Sequence, residues 1–326
     1  MGHEVGFEQF EVPAAAMPAV SAPATKQPFT LCESEKTFTV TDGDNVYVID
    51  RAHGLLASMV GSGKELLSSP VTPTIWRAPT DNDRRIRRKW EAQFFHLAKP
   101  KCYSCDVVEN TAERIAVLAK LSISPDVTRP ILHADVTYVW TPTAGLEIKS
   151  DVKVREDQPF LPRFGFTFKM PEDCEHLRYF GRGPVESYVD KRHASRVSLF
   201  DSTVTDHFEH YVRPQENMAH TDTRWVSVAN TAGQGLLAVS TEQSPTFSFN
   251  CSHFTAEQLT NTRHDYELEP LKETVVHIDY CHSGIGSHSC GPELSHKWRL
   301  EETEFSFSFR LSPAFVNNVC PFEICK

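Results

Sequence analysis

A period of two runs through most of this chain and limits what it can fold into. Leu146, Ile148, Val152 and Val154 alternate with Glu147, Lys149, Asp151 and Lys153. Ile115, Val117, Ala119, Leu121 and Ile123 repeat the pattern, as do Leu132, Ala134, Val136, Tyr138 and Trp140. Successive side chains of a strand point to opposite faces, so each stretch has one dry and one wet face, as in an antiparallel sheet covered on one side. Further strands are predicted at Thr37–Thr41, Val46–Asp50, Leu55–Val60, Phe160–Phe168, Leu177–Phe180, Trp225–Ala229, Leu236–Ser240, Thr246–Phe249, Tyr266–Leu268, Thr274–Tyr280 and Glu304–Arg310. Asp42-Gly43-Asp44-Asn45 makes a hairpin turn between two of them. Strands recurring roughly every 8 to 15 residues with Gly, Pro or Asp between them build a sandwich.

Helical signals are few. Asp83 is expected to cap a helix with Ile86, Trp90, Phe94 and Leu97 as its apolar stripe. Arg84, Arg85, Arg87 and Arg88 crowd its first turn against the helix dipole, which favours acidic neighbours or a partner surface. Thr255-Ala-Glu-Gln258 is a capping box opening a short turn. Before Phe29 the composition changes. Pro13, Pro18, Pro23 and Pro28 punctuate Ala and Ser in residues 13–28, an extended linker. Residues 1–12 alternate as one strand without a partner nearby, which assigns them to a preceding domain. Residues 29–326 form the main domain.

A net charge of −10 over 326 residues argues against a nucleic-acid partner. No apolar run approaches the roughly 20 residues of a membrane span. Nine scattered cysteines do not form a disulfide framework. With no signal peptide visible, they favour a cytoplasmic location. Cys102-Tyr-Ser-Cys105 lacks a second pair for zinc, and a metal set from Cys281, His282, His288 and Cys290 reads better as reduced thiols.

Four stretches are dense in unusual residues: Trp76-Arg-Ala-Pro-Thr-Asp-Asn-Asp83, Phe180 to Lys191, Tyr211 to Trp225, and the glycine-rich loop after Asp279. In the last, Gly284, Gly286 and Gly291 free the backbone around Ser287, His288, Ser289 and Cys290. Arg77, Asp81 and Asp83 are read as buried ion pairs at a corner. Glu186 and Glu216 have the chemistry of a retaining carboxylate pair, which needs the two about 5 Å apart, but a structural role is the better reading.

These motifs, in this order, resemble the C-terminal domain of glycoside hydrolase family 2 β-galactosidases, which in two-gene forms is the separate small chain. Leu161 to Phe166 fits as well, and residues 1–12 resemble the last strand of the immunoglobulin-like domain before it. The resemblance implies a large antiparallel β supersandwich of the galactose mutarotase type. It implies a share in hydrolysing terminal β-galactosides with retention, by two glutamates on a TIM-barrel portion outside this chain. Catalytic residues and resident cofactors are therefore expected to be absent here, with Mg²⁺ and Na⁺ held mainly by the barrel. In some members backbone carbonyls matching Arg213-Pro214 bind sodium. The partners implied are that barrel portion or large chain, a galactoside, and further copies in a homo-oligomer. The glycine-rich loop would bring Cys290 to the sugar, where some members carry a stacking tryptophan, with His288 and Ser289 on the rim. Two other functions remain open. A sugar 1-epimerase would draw its acid and base from His207, Glu209 and His210, which read better as a surface loop. A carbohydrate-binding module would need exposed aromatics.

Overall fold

The computed structural model describes residues 5–10, 29–142, 145–288 and 290–315. Three antiparallel sheets make up the fold. A nine-stranded sheet runs, in spatial order, Arg196–Thr203, His176–Gly183, Trp225–Ala229, Gln234–Ser240, Glu304–Phe315, Gly145–Val154, Leu132–Thr141, Ile115–Ser124 and Lys99–Asn110. A five-stranded sheet has the order His220–Thr223, Phe247–Ser252, Thr274–His282, Arg163–Met170, Thr72–Thr74. A second five-stranded sheet is a meander from Thr30–Glu33 to Lys64–Glu65.

The two smaller sheets pack on the large one through aromatic contacts. Phe305, Phe307 and Phe309 pair with Val152, Ser150 and Ile148, so their rings share the dry face of the large sheet. Phe164 meets Phe305 edge-on at 5.1 Å, and Phe166 meets Phe309 at 5.5 Å. At the other end Tyr47 meets Trp140 at 5.9 Å. One continuous apolar core results, in which each buried large side chain contributes roughly 1.5–3 kcal/mol. This is the supersandwich expected, with only two α-helices among the described residues.

Several local expectations are corrected. The stretch after Trp76 forms a 3-10 turn, Asp81–Arg84, a helix, Ile86–Ala92, and a second 3-10 turn, Phe95–Leu97. Phe94 takes a left-handed conformation with φ 58°, which breaks the helical stripe. Trp90 and Phe95 are buried while Leu97 is exposed. Asp83 closes the first turn from within, accepting from the Thr80 N–H at 2.9 Å, instead of capping the helix. Asp265–Glu267 is a 3-10 turn and Tyr266 is exposed, stacked on His264 at 5.3 Å, so no strand forms there. Lys99–Asn110 and Arg196–Thr203 are strands that the alternation did not reveal. The first carries a register shift at Cys102/Ser104 and the second is a half-exposed edge.

Residues 5–10 are in no strand, and Val5 and Phe10 are exposed. Gln9 nonetheless reads the outer edge of the large sheet, donating to the Val197 carbonyl at 2.7 Å and accepting from its N–H at 2.8 Å. The linker assignment, 13–28, lies outside the described residues.

Candidate functional site

The glycine-rich loop leaves the strand Thr274–His282, which is paired on both sides. The polar residues of that strand are buried: Thr274, His277, Asp279 and His282 are all covered. Asp279 is matched by Arg163 from the neighbouring strand, Nη2 to Oδ2 2.6 Å and Nε to Oδ1 3.2 Å, with both side chains fully buried. Burial by itself would raise the Asp279 carboxyl, but the Arg163 guanidinium and the His282 contact outweigh it and hold it at about 2. His282 reaches the same carboxylate from Nε2 at 2.9 Å. Burial and the Arg163 charge lower its pKa, so it donates as a neutral ring. Glu216 lies on the other side of Arg163 at 3.7 Å.

The loop itself is held from several sides. Ser283 donates its N–H to Pro162 at 3.0 Å and its hydroxyl to the Leu161 carbonyl at 2.6 Å. Arg77, fully buried, bonds the Ser283 carbonyl and reaches that of Gly284 at 3.4 Å. The Arg77 guanidinium is itself held by Asp83 at 3.0 Å. Asn82 donates to the Ile285 carbonyl at 2.6 Å. From the second motif, Asp190 accepts the N–H groups of Ile285 and Gly286 at 2.9 and 2.8 Å. A Cβ on Gly284 would stand 2.5 Å from the Asp190 carboxyl carbon, so only glycine permits that approach. The third motif braces these supports: the Glu216 N–H donates to Ala78 at 3.1 Å, and the Gln215 side chain accepts from the Asp81 N–H at 2.8 Å. The four motifs, far apart in sequence, thus meet around one loop. Of the expected corner pairs, Arg77 and Asp83 form and Asp81 stays exposed.

Beyond Ile285 the loop surfaces. Gly286, Ser287, Cys290, Gly291 and Pro292 are exposed. His288 is half-buried at φ 81°, its Nε2 3.2 Å from Arg85 Nη1. Cys290 is a free, exposed thiol. Ser289 lies outside the described residues. Beside the loop opens a cleft of about 1040 Å³, lined by Arg85, Lys89, Phe160, Ser287, His288 and Arg299 among others.

The remaining sequence candidates fall elsewhere. Glu186 is buried and committed to Lys191, to the Tyr211 hydroxyl at 2.7 Å and to the Met218 N–H at 3.0 Å. With Glu216 turned to Arg163, both carboxylates serve the scaffold. His207 is not on a surface loop: it is buried against His220, ring to ring at 4.5 Å, while Glu209 and His210 are exposed. Those three do not share a cleft wall. Of Cys281, His282, His288 and Cys290, read as reduced thiols and ordinary histidines, His282 is buried on Asp279 and Cys290 is outside. Among the described residues no group of three or more His, Cys, Asp or Glu is arranged to hold a metal ion. Sequence reasoning missed Arg163 and Asp279 as the centre of the network. The visible signal was an arginine and an aspartate inside otherwise apolar strands, where a charge needs a partner.

The fold is an antiparallel supersandwich in which a buried ion network anchors one surface loop. The chain belongs to the family described as "Beta galactosidase small chain", whose profile matches residues 41–311. It is similar to a β-galactosidase of Staphylococcus xylosus, 33% identical over 309 residues, covering 94% of this chain and 31% of that protein. A β-galactosidase of Actinobacillus pleuropneumoniae is 34% identical over 313 residues, covering 95% of this chain and 30% of that protein. The chain thus spans about a third of the length of these relatives. Among solved structures, a galactose 1-epimerase from Lactobacillus acidophilus aligns over 88% of this chain and 98% of that one, with 9% identity and a TM-score of 0.45. A likeness that loose carries no functional argument.

Proposed function

We propose that this chain is the non-catalytic portion of a β-galactosidase, and that its glycine-rich loop completes the galactoside pocket of a separate catalytic portion. The observation that carries the reading is the contrast along the loop. Its base is fixed by Arg77, Asn82, Asp190 and Ser283, while its tip, with Ser287 and Cys290, is left to solvent. A rigid support under an exposed tip is what positioning a contact on a neighbouring surface requires. In this reading Cys290 and His288 reach the rim of the pocket, with Ser289 between them. A thiol lends no stacking surface, so binding of the leaving sugar relies on polar contacts instead.

Retaining hydrolysis needs a nucleophile and an acid/base. Glu186 and Glu216 are engaged in the scaffold, which supports assigning both roles, and the Mg²⁺ of the reaction, to the catalytic portion. The same portion, or a large chain, is the partner, and copies of the complete enzyme associate into a homo-oligomer. The purified chain is expected to give no turnover of nitrophenyl β-galactoside alone, and to restore turnover when mixed with a catalytic portion lacking this region. Turnover by the chain alone, at the rate of a complete enzyme, would overturn the proposal.

A further inference from the structure

Residues 84–89 read Arg-Arg-Ile-Arg-Arg-Lys in a chain whose net charge is −10. Arg87 is satisfied by Glu91, Nε to Oε1 2.6 Å. Arg84, Arg85, Arg88 and Lys89 are exposed, and among the described residues none of them has an ion-pair partner. Asp83 is committed to Arg77. Of the acids that line the adjacent cleft, Asp157 is held by Arg155, Glu293 by Arg299 at 3.2 Å and Glu301 by His296 at 2.9 Å, while Glu156 has no ion-pair partner among the described residues. Arg84 and Arg85 precede the helix Ile86–Ala92 and Arg88 sits in its first turn, where the backbone dipole disfavours positive charge, while Lys89 lies in its last turn. Among the described residues, no acid forms an ion pair with any of these four cations.

We infer that Arg84, Arg85, Arg88 and Lys89 form a docking surface for an acidic face of the catalytic portion. The inference rests on the proposed function. Its support is charge complementarity and location: Arg85 touches His288 of the loop, so a partner drawn to the cluster arrives beside the loop tip. A neutral galactoside has no use for four cations, and the acidic balance of the whole chain opposes a phosphate polymer. Unpaired charges at an interface rim act mainly on the association rate and make it salt-dependent.

The test is stopped-flow association of the full chain with the catalytic portion of the Staphylococcus xylosus relative, cut ahead of the segment matched here. Raising salt from about 50 to about 300 mM is expected to slow association about tenfold or more, as screening shortens the reach of the charges. A chain carrying R84Q, R85Q, R88Q and K89Q is expected to associate about tenfold more slowly, with a flattened salt dependence and an unchanged unfolding midpoint. A companion with R84K, R85K and R88K keeps the charge and should keep the rate, which separates charge from fold. Equal rates for the glutamine variant and the parent, or no effect of salt, overturn the docking surface while leaving restored turnover intact. Failure of the parent chain to associate removes the proposed function and the docking surface together. Tight binding of a single-stranded oligonucleotide that the glutamine variant loses would reassign the cluster and overturn the inference.

Discussion

Asp190 holds Gly286 through one carboxylate oxygen, Oδ2 to N 2.8 Å, while its other oxygen takes the N–H of Ile285 at 2.9 Å. One side chain from a distant motif thereby fixes two consecutive peptide groups at the root of the glycine-rich loop. Hydrogen bonds to a charged acceptor contribute more than neutral ones, about 1.5–3 kcal/mol. D190A should therefore lose amide-exchange protection at Ile285 and Gly286 while the sheets keep theirs. Turnover restored in the mixed enzyme should fall at least about tenfold, since a loop released by even ~1.4 kcal/mol changes its population by that factor.

Two glycines of the same loop should behave differently. A methyl on Gly284 meets the Asp190 carboxyl at 2.5 Å, whereas one on Gly291 meets nothing within 4 Å. G284A is expected to cost about 1–3 kcal/mol by overpacking, read by urea unfolding. G291A should stay within about 0.5 kcal/mol of the parent, as a surface change does.

Removing Arg163 strands the buried Asp279 and Glu216 charges, and removing Asp279 leaves Arg163 only the longer Glu216 contact. R163M and D279A are each expected to destabilise by about 3–5 kcal/mol in urea unfolding. The double variant should cost less than the sum of the two, because Asp279 is no longer stranded, although Glu216 still loses its Arg163 contact. Additive costs would show that the two side chains are not coupled.

The acid limb of stability should have two stages. Burial drives the His220 pKa down to about 4, and burial together with His220 takes His207 well below its ordinary value, so both rings fold neutral. His277 and His282 are lowered in the same way, by burial and by Arg163. A depressed folded pKa gives stability that is present above the unfolded value, near 6.5, and is lost as pH falls. Unfolding free energy should decline below pH ~6.5, by up to about 1.4 kcal/mol per unit for each histidine. Asp279, held at about 2 against roughly 3.9 when unfolded, adds a second loss between about pH 4 and 2. H220N should remove about one proton from the first stage and leave the second alone.

Thiol accessibility should divide the cysteines. Cys32 and Cys290 are exposed, whereas Cys105, Cys174 and Cys251 are buried. Burial, with smaller effects from nearby groups, pushes the Cys105 thiol up to about 12 and that of Cys174 up to about 11. Maleimide should label Cys32 and Cys290 within minutes and spare the three buried thiols in the native chain. Adding the catalytic portion should protect Cys290 and leave Cys32 reactive. Unchanged labelling of Cys290 in an active mixture would remove it from the pocket rim.

The alternation in Leu146–Val154 and Phe305–Phe309 was enough to settle the fold class, because a strand with one dry face has to be covered by another layer. The four motifs, in their order, likewise carry the kinship with the family. Local pattern misled where a single backbone torsion or a distant partner decided the outcome. Phe94 turned left-handed and ended a stripe that looked helical, and Tyr266 stacked on His264 instead of joining a sheet.

What the sequence determined by itself was therefore the fold class, most of the strands and the kinship, since these depend on neighbours two residues apart or on order along the chain. Which charges meet was decided only in three dimensions. Arg163 and Asp279 are 116 positions apart, and Arg77 and the Ser283 carbonyl are 206 apart. No local period encodes such encounters. They follow from sheet register and from the cost of leaving a buried charge unmatched, and they fix the root of the loop while its tip stays in solvent.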